Sequence, residues 1–265
     1  MLFYTKTPKF ISSLHFHLFY VVVSLLFFSP SRSFSQEKKL PREELIALAK
    51  EAVNNMNNEL YEKSLIQSRS ALRYAILAKD VELIAQIYNI IGGNFDGLLE
   101  YEKAMFYYKK GLIFAEKTNN NVSKYTINNN LGNIYFFDKK DFKKGIYHYK
   151  KALEYCSKIK DTSNMVFTKI NMAWAFFDIQ KFDEGYPYLQ FVNDNFSKHG
   201  DTSLKCISSM LNGMYLSYKK DTKKATTFFE NAIKYGIEEE EKSDLSYAYL
   251  EYSKFLNKNG LHIKA

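Results

Sequence analysis

Proline is scarce: four in 265 residues, with Pro8, Pro30 and Pro41 all before residue 42. Proline removes a backbone donor and clashes with the preceding turn of a helix. The stretch 42–265, which holds only Pro187, therefore suits an all-helical chain. Cysteine is scarcer still. Cys156 and Cys206 are too few for a disulfide framework, and several helices are expected between them, so they read as two buried thiols. There is no glycine-rich phosphate loop, no His-Glu-x-x-His and no Cys-x-x-Cys, and His148, His199 and His262 stand apart from one another. No catalytic, cofactor-binding or metal-ligating residue is assigned, and a non-enzymatic protein without a cofactor is expected. Arginine-rich blocks are missing too. The lysines are scattered among acids as on solvated helix faces, so nucleic acid is not an expected partner.

Long apolar runs are also few. The one at the N-terminus, Leu18–Phe28, has eleven residues, short of the roughly 20 needed to span a bilayer. Lys6 and Lys9 precede it, and Pro30, Ser31, Ser33 and Ser35 follow. That is the layout of a secretory signal peptide over 1–35, with a short linker over 36–41 and a helical domain over 42–265. An exported, periplasmic or secreted protein is expected. The alternative is an uncleaved anchor, which would associate the protein with a membrane. Lys6, Lys9 and Arg32 are the only charged residues of the first 35, so their removal takes the formal charge from +8 to +5.

What is present is a repeated phrase. Small residues fall in three registers: Ala52, Gly92, Gly132, Ala173, Gly213, Ser253; then Ser64, Ala104, Gly145, Gly185, Ala225, Ala265; then Ala71, Gly111, Ala152, Val192, Ala232. Within a register each member follows the last by 40 positions, once by 41; between the first two registers the offset is 12, except for 13 from Gly132 to Gly145. Tyr61, Tyr101, Phe142 and Phe182 stand three before the second register. Small side chains let two helices approach closely and let a neighbouring aromatic fill the space, at up to ~1 kcal/mol of helix propensity for each interior glycine. Aromatics, 17% of the chain, supply the knobs. Each unit is therefore predicted to be two antiparallel helices, A and B. The A helices are placed at 42–56, 81–96, 122–137, 162–178, 202–218 and 243–257, and the B helices at 59–78, 100–118, 141–159, 181–198 and 221–236. Asp80, Asn121, Asp161 and Asp201 are the expected N-caps, with Ser243 or Asp244 in the last unit.

The run Leu131-Gly132-Asn133-Ile134-Tyr135, then Asp141-Phe142-Lys143-Lys144-Gly145, Tyr149 and Ala152, resembles the tetratricopeptide repeat. The resemblance covers 42–265. It departs from the family in a period of 40 instead of 34 and in lacking the early Trp and terminal Pro. It implies a right-handed α-solenoid of antiparallel helix pairs, about six units of about 40 residues with the last incomplete. Gly92, Ala104, Gly132, Gly145, Ala173, Gly185, Gly213 and Ala225 would be its repeat-packing positions. The Asn, Lys, Tyr, Ile and Phe bias is similar to that of exported Bacteroidetes repeat proteins. There, such arrays often form the sensory part of membrane histidine kinases or DNA-binding regulators.

In the family, the A helices line the concave side and meet the ligand three before and one after the first register. Carried onto this chain, those positions include Asn89, Gly93, Asn129, Asn133, Ile170, Trp174, Met210, Met214, Leu250 and Lys254. Phe136, Phe177 and Asp178 lie one turn further along. Asn129 and Asn133 share a helix face and could bind peptide backbone, while Trp174, the sole tryptophan, could serve as a hydrophobic anchor. The function this implies is a scaffold outside the cytoplasm that binds a protein or peptide. The alternative is the periplasmic sensory region of a signalling protein whose output domain is absent. The sixth unit has a full apolar A helix and only the start of B, so a longer parent protein or a covering partner is expected there.

Overall fold

The computed structural model describes residues 40–240 and 242–261. The expected signal peptide, residues 36–39 of the linker, and His262 and Ala265 of the last unit lie outside them. From Pro41 the chain forms one compact helical unit. Among the described residues there are eleven α-helices and no strand. They run in pairs: α1 (Arg42–Asn57) with α2 (Tyr61–Ala78), α3 (Val81–Gly97) with α4 (Tyr101–Ala115), α5 (Asn121–Asn133) with α6 (Phe142–Ile159), α7 (Thr162–Asp178) with α8 (Phe182–His199), and α9 (Lys205–Tyr218) with α10 (Thr222–Glu238). α11 (Lys242–Lys258) is a last A helix. Each A helix packs on its own B helix, and each B helix on the next A helix. The fold is thus an all-α, solenoid-like repeat of helix pairs. A helices also pack on one another, α1 on α3, α3 on α5, α7 on α9 and α9 on α11, while successive B helices do not pack closely. In a curved stack the inner elements crowd and the outer ones separate, so the A helices form the concave side.

The small registers lie where the helices meet. Ala52, Ala104, Ala173 and Ala225 have no exposed surface. A Cβ added to Gly92 would stand 2.5 Å from the Tyr108 ring, one on Gly132 2.6 Å from the Tyr149 ring, and one on Gly213 3.0 Å from the Phe229 ring. Those rings sit at one repeat position of the B helix. Where the A helix carries alanine instead, the same B position holds a smaller side chain: Ser68 in the unit of Ala52, Leu189 in the unit of Ala173. A glycine on one helix thus goes with an aromatic on its partner. Gly145 and Gly185 receive Phe136 and Phe177, and for Gly145 an added Cβ would also meet the Phe136 backbone at 3.0 Å.

Side-chain caps begin many helices. The Leu83 N–H donates to Asp80 Oδ1 at 3.0 Å, and the Asn164 N–H donates to Asp161 Oδ1 at 3.0 Å. In the third unit the cap is Asn120, which accepts from the Ser123 N–H at 2.9 Å. Asn121 becomes the first helical residue, one place later than the capping role expected for it. Asp201 caps a short 3-10 turn, Thr202–Leu204, ahead of α9.

The single 13-residue spacing has a structural counterpart. α5 does not run straight to 137 as expected but passes into a π-helical turn, Ile134–Asp138. In other units the A helix closes with a bond spanning five residues, such as Glu100 N–H to Phe95 O at 2.8 Å. Here the closing bond, Asp141 N–H to Tyr135 O at 2.8 Å, spans six. The extra residue is absorbed within one turn, a common form for a single-residue insertion in a helix, and the units beyond keep their register.

A left-handed residue ends each A helix: Glu59, Leu99, Lys140, Gln180, Lys220 and Gly260, with φ between 53° and 63°. Only the last is glycine, the residue that takes this conformation without steric cost. Leu99, at φ 60° and 69% exposed, gives up little packing. Leu99→Gly is expected to raise stability by about 0.5–1 kcal/mol, the relief of left-handed strain less the added unfolded-state entropy. Urea denaturation reads this as a higher midpoint; an unchanged or lower midpoint would show that the turn carries no strain.

Candidate functional site

The inner faces of α1, α3 and α5 enclose a cleft of ≈ 290 Å³, with Ile46, Val53, Gln86, Asn89, Ile90 and Thr126 among its lining. Three successive A helices contribute, so the cleft exists only once the units have stacked. Asn89 is the one expected ligand residue that lines it. Asn89 Oδ1 also accepts from Asn130 Nδ2 at 3.2 Å.

The other expected ligand positions are differently placed. Asn129 is 3% exposed, and its Oδ1 accepts from Thr168 Oγ1 at 3.2 Å and from Asn171 Nδ2 at 3.4 Å. Asn133 Oδ1 accepts from Tyr149 Oη at 2.8 Å and from Asn171 Nδ2 at 3.2 Å. Both amides tie the third unit together or to the fourth. Phe136 and Phe177 are fully buried and Met214 nearly so, which leaves them almost no surface for a ligand. Their register positions point between the helices. Asp178 is exposed.

Trp174 is half-buried in a row of rings. It meets Phe137 edge-on at 4.9 Å and Tyr247, from α11, edge-on at 4.9 Å. The row joins the third, fourth and sixth units, so the curvature brings α11 back across the inner face. No periodicity announces a contact between residues so far apart in sequence.

Beside this row lies an acidic group that the sequence reading missed. Asp96, in the last turn of α3, has its pKa pushed up to about 6 by burial, with the Asp138 charge adding and the Tyr108 hydroxyl opposing. Tyr108 Oη lies 3.4 Å from Asp96 Oδ2. Asp138 is itself raised by burial and held back by a hydrogen bond from Tyr101 and by Lys140 and Lys139. Tyr101 is raised by burial first, and the Tyr247 hydroxyl is near enough to contribute. Two carboxylates and two phenols thus cluster where α3 and the π-turn end, near the ring row. Chemically this suits a cation better than an anion. A signal was available: Asp96, Asp138 and Asp178 all end A-helix segments, where the helix dipole disfavours negative charge.

His148 is a packed imidazole. It stacks on Tyr135 at 5.3 Å, its Nδ1 is 2.9 Å from Asn128 Oδ1, and burial with Lys109 lowers its pKa to about 4. Cys156 and Cys206 are both buried, and burial pushes the Cys156 thiol up to about 12. Among the described residues no group of acids, His and Cys could hold a metal ion, and no helix is long and apolar enough to cross a membrane.

The raised Asp96 pKa has a stability consequence. Below the ordinary carboxylate value both states are protonated and no penalty applies; as pH rises from about 4 to 6, the unfolded chain ionises first and the fold loses stability. Asp96→Asn is therefore expected to gain about 1–2 kcal/mol at pH 7, discounted for partial solvent access, and much less at pH 4. His148 titrates with the opposite slope between its ordinary value and about 4, so the variant must be compared with its parent at each pH by urea denaturation. An equal gain at both values would mean that the Asp96 charge is not the cause.

The fold has a solved counterpart. The crystal structure of BtubC (BKLC) from P. vanneervenii is similar to this chain. The two superpose with a TM-score of 0.55 at 18% identity, over 84% of this chain and 83% of that one. At that identity the likeness speaks to the fold. No family model matches the sequence, and no curated protein matches it.

Proposed function

We propose that this chain is a non-enzymatic scaffold of the tetratricopeptide type that binds a protein or peptide segment on its concave face, outside the cytoplasm. The observation that carries the reading is the cleft shared by α1, α3 and α5, whose lining mixes apolar Ile46, Val53 and Ile90 with amides Gln86 and Asn89. An apolar side chain can enter between three helices while the amides meet the peptide backbone, the division of labour common to pre-formed sites. Asp96 lies seven residues beyond Asn89 on α3, roughly 10 Å along the helix. A segment with an apolar anchor followed by Lys or Arg fits both.

The test is selection of displayed random peptides on the full chain, followed by titration of the winners. Val53→Arg with Thr126→Arg should weaken binding at least tenfold by filling the cleft, and Asp96→Asn should weaken peptides that carry a cation. Winners whose affinity ignores all three substitutions would place the binding face elsewhere and defeat the proposal.

A further inference from the structure

The outer face of the first three units carries a pattern that packing does not require. Two residues after the second small register, each of the first three B helices presents a large apolar side chain to solvent: Ile66 on α2 (69% exposed), Phe106 on α4 (53%) and Tyr147 on α6 (56%). One residue before the register stand Lys63, Lys103 and Lys144, and five after it Arg69, Lys109 and Lys150, all exposed. Because the repeat positions coincide, these form three rows across successive helices: basic, apolar, basic. In all, α2 and α4 carry three basic residues each and α6 carries five, against one glutamate on each helix. Some of the charge is answered locally, Lys103 by Glu100 and Lys144 by Asp141 at 2.7 Å. Exposed pairs of this kind are weak and easily exchanged.

The rows stop at the fourth unit. The same three positions hold Glu184, Pro187 and Gln190 on α8, and Lys224, Thr227 and Glu230 on α10. The repeat architecture continues while the chemistry does not, so the pattern is not a by-product of stacking. Solubility does not explain it either, since three large apolar side chains are left in water between the cations.

We propose that this outer face of α2, α4 and α6 docks on an anionic lipid surface, independently of the concave cleft. Lysine-rich rows supply long-range attraction to lipid phosphates, and apolar side chains between them insert at the headgroup level, the combination that holds interfacial helices on membranes. A bilayer fits better than a folded acidic partner, because the apolar side chains project singly, one from each helix, between the basic rows. A fluid surface conforms to such points. Nucleic acid fits less well. Five of the six residues flanking the apolar row are lysine, not the arginine that reads phosphate in bidentate fashion.

The experiment is co-sedimentation of the full chain with vesicles of phosphatidylglycerol and phosphatidylcholine, beside vesicles of phosphatidylcholine alone. The run Leu18–Phe28 remains in every variant, so its own membrane affinity is common to all. Binding should favour the anionic vesicles and weaken steeply with salt. Lys63→Glu, Arg69→Glu and Lys150→Glu combined should lower anionic-vesicle binding at least tenfold and leave phosphatidylcholine binding alone. A matched reversal on α10, Lys223→Glu, Lys224→Glu and Lys234→Glu, should change it less than twofold. Ile66→Ser with Phe106→Ser, both exposed, should weaken binding several-fold with the same salt slope, which keeps the test valid if the charge reversal fails to fold. No preference for anionic vesicles, or equal loss in the α10 control, overturns the proposal. So does insensitivity of vesicle binding to the Ile66 and Phe106 changes while duplex DNA competes through the same lysines, since the face would then be a general polyanion site.

Discussion

Gly132→Ala is expected to destabilise the protein by up to about 2 kcal/mol, the cost of overpacking less the gain in helix propensity, and part of that loss should vanish when Tyr149 is made smaller. The new methyl would stand 2.6 Å from two Tyr149 ring carbons, inside any tolerable contact. The ring cannot swing away, because Tyr149 is fully buried and its hydroxyl is held by Asn133 Oδ1 at 2.8 Å. Overpacking of this kind typically costs about 1–3 kcal/mol, offset by the ~1 kcal/mol that alanine gains over glycine inside a helix. Tyr149→Leu alone should cost about 2–4 kcal/mol through the lost ring volume. Together, the two changes rebuild the Ala173 and Leu189 combination that the following unit already uses. The double variant should therefore be more stable than the sum of the single losses by at least ~1 kcal/mol. Urea denaturation of the four proteins gives the coupling directly. Strict additivity would mean that the glycine and the aromatic do not set each other's size, and the account of the repeat would fail with it.

Asn129→Ala should cost about 1–3 kcal/mol of stability, the penalty for unpaired buried donors, and leave ligand binding on the inner face unchanged. The amide oxygen accepts from Thr168 and Asn171 in a site with almost no solvent access. Its removal takes that acceptor from Thr168 and leaves Asn171 only Asn133 Oδ1, across the junction between α5 and α7, and a buried donor stripped of its partner is penalised more than a complete pair is rewarded. Replacing both sides by apolar groups, Asn129→Leu with Thr168→Val, should therefore cost less than Asn129→Leu alone. Thermal or urea unfolding measures the first effect, and titration with a peptide selected on the full chain measures the second. A stable Asn129→Ala protein with lost affinity would return Asn129 to the ligand role expected from its register.

The same residue shows how far a sequence can be read. Its place on an A helix, one turn before Gly132, follows from the regular step of the registers. Whether its amide faces a ligand or a neighbouring unit depends on the angle between α5 and α7, and helical spacing carries no information about that angle. Trp174 makes the same point from another side. The ring that covers it, Tyr247, arrives from two units further on. Asp96 looks ordinary in the sequence, since a single acid near a helix end is common; burial and the Asp138 charge, which raise its pKa to about 6, exist only in the folded chain. The convex rows are the reverse case. Their letters were legible at fixed offsets, but their meaning required knowing which face of α2, α4 and α6 is left in solvent.

The sequence by itself determined the helix pairs and their joints. Helical periodicity and small-residue spacing are local properties, and a glycine or alanine that returns once in every unit can serve only a contact that returns as often. Even the one irregular spacing, Gly132 to Gly145, marked the place where the backbone widens into a π-turn. Tertiary structure alone decided which inner-face residues are spent on packing, that Tyr247 returns to Trp174, and that non-glycine residues such as Leu99 accept left-handed geometry at the turns. These depend on how small rotations between neighbouring units accumulate along the stack. The contacts within each unit must hold before the next can add to them, so that sum is a property of the assembled chain and of no segment in it.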